Sequence, residues 1–155
     1  MMERIKTNNK NHPPMQKLPH PILTGQRSRV HDAWGSGQFG APRGGRKHQG
    51  LDIKAAPFQK VFAPFPGTIT REAAPYRDDH RYRGLVLQGS GTWKDYTLKI
   101  FYVQGIISGE VAAGSQIGYV QNLGLKYPGI TNHIHVEVRK GKQLVDPFSI
   151  WQMCF

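Results

Sequence analysis

The sequence contains a single cysteine, Cys154, close to its C-terminus. One thiol cannot form an internal disulfide, so the disulfide framework that stabilises many small secreted domains is excluded. The N-terminal segment has no apolar run of the kind found in a secretory signal, and no stretch is long and apolar enough to span a membrane. These features favour an intracellular protein, or a sequence that lacks its true start.

Acidic residues are few. The chain has 155 residues with 10 Asp and Glu against 21 Lys and Arg, a formal net charge of +11 at pH 7. This excess favours polyanionic partners such as an acidic glycan, although a plain soluble basic protein explains it equally well. The sequence has no helix-turn-helix pattern, zinc-finger spacing or ribonucleoprotein aromatic motif, so we expect no specific nucleic-acid binding.

A helical apolar stripe is also missing, whereas 18 Gly and 11 Pro indicate a chain rich in turns. Short β-branched and aromatic runs between turn signals predict strands at 51–53, 60–63, 67–70, 84–88, 96–103, 116–120 and 133–138. Strands at this spacing predict a mainly β fold, a compact antiparallel sandwich or barrel-like sheet with long loops.

The chain divides into a tail and one domain. Residues 1–28 combine several prolines and asparagines with basic side chains and carry no periodic apolar pattern, so we expect a disordered basic tail. A basic arm that grips a polyanion is the alternative interpretation of the same composition. Residues 29–155 are expected to form the folded domain.

Two histidines one residue apart, His133 and His135, lie in the predicted strand 133–138. Strand side chains alternate between the two faces of a sheet, so both imidazoles should point towards one site. Ile134 and Val136 should then face the core. Surface or hydrogen-bonded core histidines would be the ordinary explanation for one isolated histidine, but the paired arrangement favours a metal site.

A second motif adds oxygen and nitrogen donors. His48 and Asp52 flank Gly50, a turn signal that would let their side chains converge. Three protein ligands of N, N, O type leave the fourth position of a tetrahedral zinc open, the layout of a hydrolytic zinc centre. The two motifs together predict a zinc site.

The motifs lie within longer stretches, at 35–39, 48–52, 61–65, 99–103, 127–135 and 146–147. Over residues 32–148 the sequence resembles the lysostaphin-type zinc endopeptidases, which cut peptidoglycan cross-bridges. It is more similar still to the leukocyte cell-derived chemotaxin-2-like animal proteins of the same fold. The resemblance implies one zinc ion per chain, held by His48, Asp52 and His135. It also implies a catalytic role for His133 beside the zinc.

The endopeptidases use one further catalytic histidine on an earlier strand, and the sequence departs from that pattern. No histidine occurs between His80 and His133, and Tyr102 stands near the expected place. The chemotaxin-2-like proteins resemble peptidases that kept the zinc and lost this histidine. If Tyr102 replaces it and faces the zinc, Phe101 and Val103 should face the core.

Loss of one such group typically costs about 10²–10³ in rate, and a tyrosine of pKa about 10 is a poor base at neutral pH. We therefore expect a zinc-binding, non-catalytic metallopeptidase-like domain similar to a secreted chemotactic ligand. The alternatives are a zinc-dependent endopeptidase acting on peptidoglycan peptide cross-bridges, and a basic protein that binds polyanions and uses zinc only structurally.

The resemblance also implies an extracellular location and a cell-surface receptor or polyanionic glycan as partner. Ser36, Ala55 and Thr97 stand in stretches where the chemotaxin-2-like proteins tend to carry cysteine. Each lost disulfide removes roughly 2–5 kcal/mol from a small secreted domain. The missing cysteines therefore keep an intracellular location as the alternative, and the sequence predicts no oligomeric state.

Overall fold

The structure is a computed structural model, and it describes residues 18–25 and 50–147 together with the backbone of five two-residue strands between residues 27 and 47. Most of the predicted tail, residues 1–17, lies outside the described residues, and so does His48. None of the helices in the described part is long and apolar enough to cross a membrane.

The short strands come first and the long ones follow. The short strands are β1 (Arg27–Ser28), β2 (His31–Asp32), β3 (Gly35–Ser36), β4 (Pro42–Arg43) and β5 (Arg46–Lys47). The others are β6 (Leu51–Lys54), β7 (Lys60–Phe62), β8 (Gly67–Ala73), β9 (Gly84–Gly89), β10 (Tyr96–Phe101), β11 (Val103–Gly105), β12 (Gly109–Val111), β13 (Gln116–Val120), β14 (His133–Lys140) and β15 (Gln143–Val145). Two single-turn 3₁₀ helices span Gly91–Trp93 and Leu123–Leu125.

Every strand pairing is antiparallel. An eight-stranded sheet has the order β1-β6-β14-β10-β9-β8-β12, with β15 also paired to β14. A three-stranded sheet has the order β11-β13-β7, and β2-β3 and β4-β5 form two separate pairs. The prediction of a mainly β, antiparallel domain is confirmed.

One face of the large sheet builds the core. Along β10, Tyr96, Leu98 and Ile100 are buried and alternate with partly exposed residues, as the pleat requires. These side chains share one apolar cluster with Val61 and Ile117 of the three-stranded sheet. Burying a large apolar side chain contributes about 1.5–3 kcal/mol. Because this face of the sheet is buried in the core, the polar side chains of the same strands point to the other face.

Residues 18–25 belong with the domain and not with a tail. Ile22 and Leu23 are fully buried in the core cluster, and the backbone N–H of Phe62 donates to the carbonyl oxygen of Ile22. The predicted division between residues 28 and 29 is therefore corrected for this segment. The sequence pattern missed this pair because two apolar residues that follow Pro19 and Pro21 show no strand or helix period.

The predicted strand 96–103 is interrupted at Tyr102. The N–H groups of Tyr102 and Val103 both point at the carbonyl oxygen of Arg83, at 2.7 and 3.1 Å. Two residues facing one across the ladder form a β-bulge, and Tyr102 has a φ of 70°, in the left-handed region. Sequence patterns also missed β12 and β15, which have only three residues each and show no alternation.

A strained turn between β6 and β7 gives the first testable prediction. The N–H of Gln59 donates to the Ala56 carbonyl oxygen, Pro57 follows Ala56, and Phe58 has a φ of 69° with 77% of its side chain exposed. This is the arrangement of a type II turn, in which the third position favours glycine. We expect Phe58→Gly to raise the free energy of unfolding by roughly 0.5–1 kcal/mol, measured by urea denaturation.

Phe58→Ala is the matched control, because it removes the exposed ring but keeps a Cβ at positive φ. We expect little stabilisation from it. A glycine variant no more stable than the alanine variant would show that Phe58 is not strained.

Candidate functional site

The site lies on the polar face of the large sheet, at the N-terminal end of β14. Ile134 and Val136 are fully buried in the core, as the alternation predicts. His133, His135 and Glu137 therefore project from the opposite face.

His135 is the centre of the site. It is paired in register with Asp52 on β6, and its Nδ1 lies 3.0 Å from Asp52 Oδ1. Its Nε2 lies 2.9 Å from Glu137 Oε2, so each ring nitrogen faces a carboxylate. Burial works to lower the pKa of His135, but the hydrogen bonds to Asp52 and Glu137 outweigh it and hold the pKa above its usual value. The ring thus sits in a strongly negative environment.

Two further contacts fix the plane of the His135 ring. Phe101, opposite His135 on β10, stacks on it with 5.4 Å between centroids and 17° between planes. Just before β6, a Cβ added to Gly50 would come within 2.9 Å of His135 Cε1 and Nε2 and within 2.3 Å of the Val136 carbonyl oxygen. Only glycine allows so close an approach.

The expected side-chain directions around Tyr102 are half right. Val103 is fully buried, as predicted, but Phe101 lies on the site face against His135. The bulge explains the difference, because its extra residue interrupts the alternation on which the prediction depended.

His133 lies beside the same carboxylate and is 4% exposed. Its Nδ1 is 2.7 Å from the Thr131 carbonyl oxygen, which can only accept, so this nitrogen donates a proton. Its Nε2 is 3.5 Å from Asp52 Oδ2. The structure thus brings together three of the predicted site residues: Asp52, His133 and His135.

Asn132 anchors the chain just before these histidines. Its Oδ1 accepts from the Leu123 N–H at 2.7 Å, and its Nδ2 donates to the carbonyl oxygens of Ala55 and Gln121 at 2.9 and 3.0 Å. These bonds tie the loop before β14 to the end of β6, which fixes where the paired histidines begin.

Tyr102 lies beside the site in a cluster with Tyr76 and Tyr127. Its ring stands edge-on to His133, with 5.6 Å between centroids and 88° between planes. Its hydroxyl accepts from the Tyr76 hydroxyl at 3.3 Å, and Tyr76 in turn accepts from Tyr127 at 2.9 Å. Burial, together with these hydrogen bonds, raises the pKa of Tyr76 far above its usual value. Tyr76 therefore stays protonated at neutral pH.

An ion pair between Lys126 and Asp79 packs against this cluster of tyrosines. Lys126 Nζ lies 4.7 Å from the Tyr76 ring centroid and 3.0 Å from Asp79 Oδ2. Hydrogen bonds from Arg81 and Lys126 hold the pKa of Asp79 well below its usual range. The Asp79 carboxylate thus fixes the ammonium group over the tyrosine ring.

Sequence reasoning missed Glu137. This carboxyl is 6% exposed, and burial works to raise its pKa, but the bond to His135 and the nearby cations outweigh burial and lower it. Arg139 NH1 lies 3.3 Å and Lys99 Nζ 3.9 Å from Oε1. Its position two residues after His135 was the available signal, because period two places it on the same face.

The donor atoms fit a zinc ion as far as the described residues show. Zinc accepts imidazole nitrogen and carboxylate oxygen, and two ligand atoms on a tetrahedral zinc are roughly 3.4 Å apart. The 3.0 Å between His135 Nδ1 and Asp52 Oδ1 is close to that separation. Within the described part of the chain, no three His, Cys, Asp or Glu side chains are grouped as a metal site. The predicted third ligand, His48, lies outside that part.

The chain is similar in sequence to two mammalian proteins of the same name. The chain is 37% identical to mouse leukocyte cell-derived chemotaxin-2 over 111 residues, covering 70% of this chain and 71% of the relative. The bovine protein of the same name is 34% identical over the same shares.

Solved structures show the same fold. The catalytic domain of the antimicrobial peptidase lysostaphin from Staphylococcus simulans matches with a TM-score of 0.56 and 21% identity, over 74% of this chain and 87% of that domain. Helicobacter pylori Csd3 matches over 90% of this chain with a TM-score of 0.62 and 16% identity, but the chain spans only 34% of Csd3.

A family model supplies the assignment. The model described as Peptidase family M23 matches residues 46–147, a stretch that contains every predicted zinc ligand and the paired histidines. The chain therefore belongs to peptidase family M23.

Proposed function

We propose that this chain is a zinc-binding member of the M23 family without peptidase activity, and that it acts as an extracellular ligand. The observation that carries the proposal is the position of Tyr102 against His133, beside the Asp52–His135 pair, where we infer that the peptidases of the family carry a catalytic histidine. The Tyr102 ring packs against His133, and its hydroxyl accepts a hydrogen bond from the Tyr76 hydroxyl.

One zinc ion per chain would be held by His48, Asp52 and His135. Support for His48 comes from Gly50, two residues later, whose backbone packs directly against the His135 ring. A zinc ion bound there would polarise a substrate carbonyl and lower the pKa of a water molecule. The other groups that peptide hydrolysis needs must come from the chain itself.

Those groups are incomplete. Hydrolysis needs a group that takes a proton from the attacking water and a donor for the developing oxyanion. His133 can supply one of them through Nε2, which faces Asp52. The neighbouring tyrosines donate hydrogen bonds but are poor proton acceptors at neutral pH. His133 favours the second candidate, a zinc-dependent endopeptidase acting on peptidoglycan cross-bridges.

The choice of an extracellular ligand follows the chemotaxin-2 relatives and the charge of the chain. The net charge of +11 suits a polyanionic glycan or an acidic face of a cell-surface receptor. A basic domain with a purely structural zinc would bind a heparin column as well, but it would have no receptor.

The zinc site gives the second prediction. Purified protein should carry one zinc per chain by elemental analysis, and His135→Ala should lose it because a nitrogen ligand is removed. His80→Ala is the matched control, since His80 is exposed and lies outside the site. Zinc retained at one per chain in the His135 variant would show that the ligand assignment is wrong.

Metal removal gives the third prediction. Asp52 and His135 are 83 residues apart in sequence, so zinc would cross-link distant strands in a chain that has no disulfide to do so. Binding to the folded state alone adds about 2.7 kcal/mol when free zinc exceeds the dissociation constant 100-fold. Chelator should therefore lower the melting temperature of the unmodified protein but not that of His135→Ala. Superimposable melting curves with and without chelator would count against a zinc that stabilises the fold.

Catalysis gives the fourth prediction. The unmodified protein should not cleave pentaglycine peptides, and Tyr102→His should introduce chelator-sensitive cleavage because it adds the missing imidazole. Histidine is among the residues that tolerate the positive φ at this position. Tyr102→Phe, which removes the hydroxyl and adds no imidazole, is the matched control and should stay inactive. Robust chelator-sensitive cleavage by the unmodified protein would instead support the endopeptidase.

A further inference from the structure

We propose that Glu137 is a positioning residue that holds the proton of His135 on Nε2, so that the Nδ1 lone pair is directed towards Asp52 and the zinc. Glu137 would act through His135 and would not bind the metal itself. The proposal depends on the zinc site proposed above.

The first argument is the position of the two ring nitrogens. Nε2 of His135 lies 2.9 Å from Glu137 Oε2, while Nδ1 lies 3.0 Å from Asp52 Oδ1. A carboxylate oxygen accepts a hydrogen bond, so Glu137 and Asp52 each favour a proton on the ring nitrogen that faces them, and a zinc ion bound to Asp52 would replace the proton on Nδ1 and leave the one on Nε2. A metal-binding imidazole nitrogen must be unprotonated, and only Nδ1 is then left to bind zinc beside Asp52.

The second argument is that Glu137 is itself held in place. Its Oε1 lies 3.3 Å from Arg139 Nη1 and 3.9 Å from Lys99 Nζ. These two contacts direct Oε2 towards His135. A carboxylate buried to 6% exposure is stable only with such partners. The two cations hold Oε1 and leave Oε2 facing Nε2 of His135.

The third argument is geometric restriction of the ring. Phe101 covers one face of His135, and Gly50 lies so close to Cε1 and Nε2 that a Cβ there would clash with the ring. Glu137 completes this support by fixing which nitrogen carries the proton. Loss of a second-layer partner of a ligating histidine typically weakens metal affinity about 10–100-fold.

The test measures zinc affinity by competition with a chelator. Glu137→Ala, which removes the acceptor, should bind zinc about 10–100-fold more weakly. Glu137→Gln keeps a carbonyl oxygen that can accept from Nε2 and should recover part of this loss. Glu110→Gln, an exposed carboxyl on β12, is the control and should bind like the unmodified protein.

A second readout does not depend on any variant folding. In zinc-loaded protein labelled with ¹⁵N at histidine, the His135 ring shifts should show the proton on Nε2 and zinc on Nδ1. A proton on Nδ1, with zinc on Nε2, would overturn the proposal. So would unchanged affinity in Glu137→Ala, or a glutamine variant as weak as the alanine variant.

These outcomes separate the inference from the function beneath it. If the unmodified protein binds zinc and Glu137→Ala binds equally well, only the role of Glu137 is wrong. If the unmodified protein takes up no zinc, the proposed zinc site fails and the role of Glu137 fails with it.

Discussion

The pairing of β14 with β6 places His135 directly opposite Asp52, and the rest of the site is arranged around that contact. Its geometry is fixed by the core, because Ile134 and Val136 on one side of β14 and Leu51 and Ile53 on β6 are all buried. A shift of one residue in register would exchange the apolar and polar faces. The packing of the core thus sets the positions of the site residues.

The environment of His135 also explains how charge is tolerated there. Two buried carboxylates flank one imidazole, and uncompensated charges of this kind would be strongly destabilising. Lys99 and Arg139 offset the charge of Glu137, and Asp52 contacts the imidazoles of His133 and His135.

Much of this site could be predicted from the sequence. The one-residue spacing of His133 and His135 in a strand pattern was enough to place both on one face, and the structure places the predicted Asp52 beside them. Glu137 follows the same period but was missed, because a carboxyl in a strand near cations is usually a surface residue. Ile22 and Leu23 were missed because two apolar residues after Pro19 and Pro21 are too few to show a period.

The bulge at Tyr102 could not be predicted. The sequence of this strand contains no signal for a residue with positive φ. The bulge is defined by hydrogen bonds from the N–H groups of Tyr102 and Val103 to the carbonyl oxygen of Arg83, just before the neighbouring strand β9. Its consequence is functional, since the bulge places the Tyr102 ring against His133 and leaves Phe101 to stack on His135. A bulge can direct a side chain into a site, so this position is well suited to a catalytic group. The presence of a tyrosine here therefore bears on the proposed loss of peptidase activity.

We propose that the chain retains the zinc site of its family while Tyr102 occupies the place of a catalytic histidine. Anomalous diffraction at the zinc absorption edge, from crystals grown with stoichiometric zinc, would decide this. We expect one peak within bonding distance of His135 Nδ1, Asp52 and His48, with Tyr102 next to His133 and not bonded to the metal. No peak at this position, or a zinc held by Glu137 or Tyr102 in place of these ligands, would contradict it.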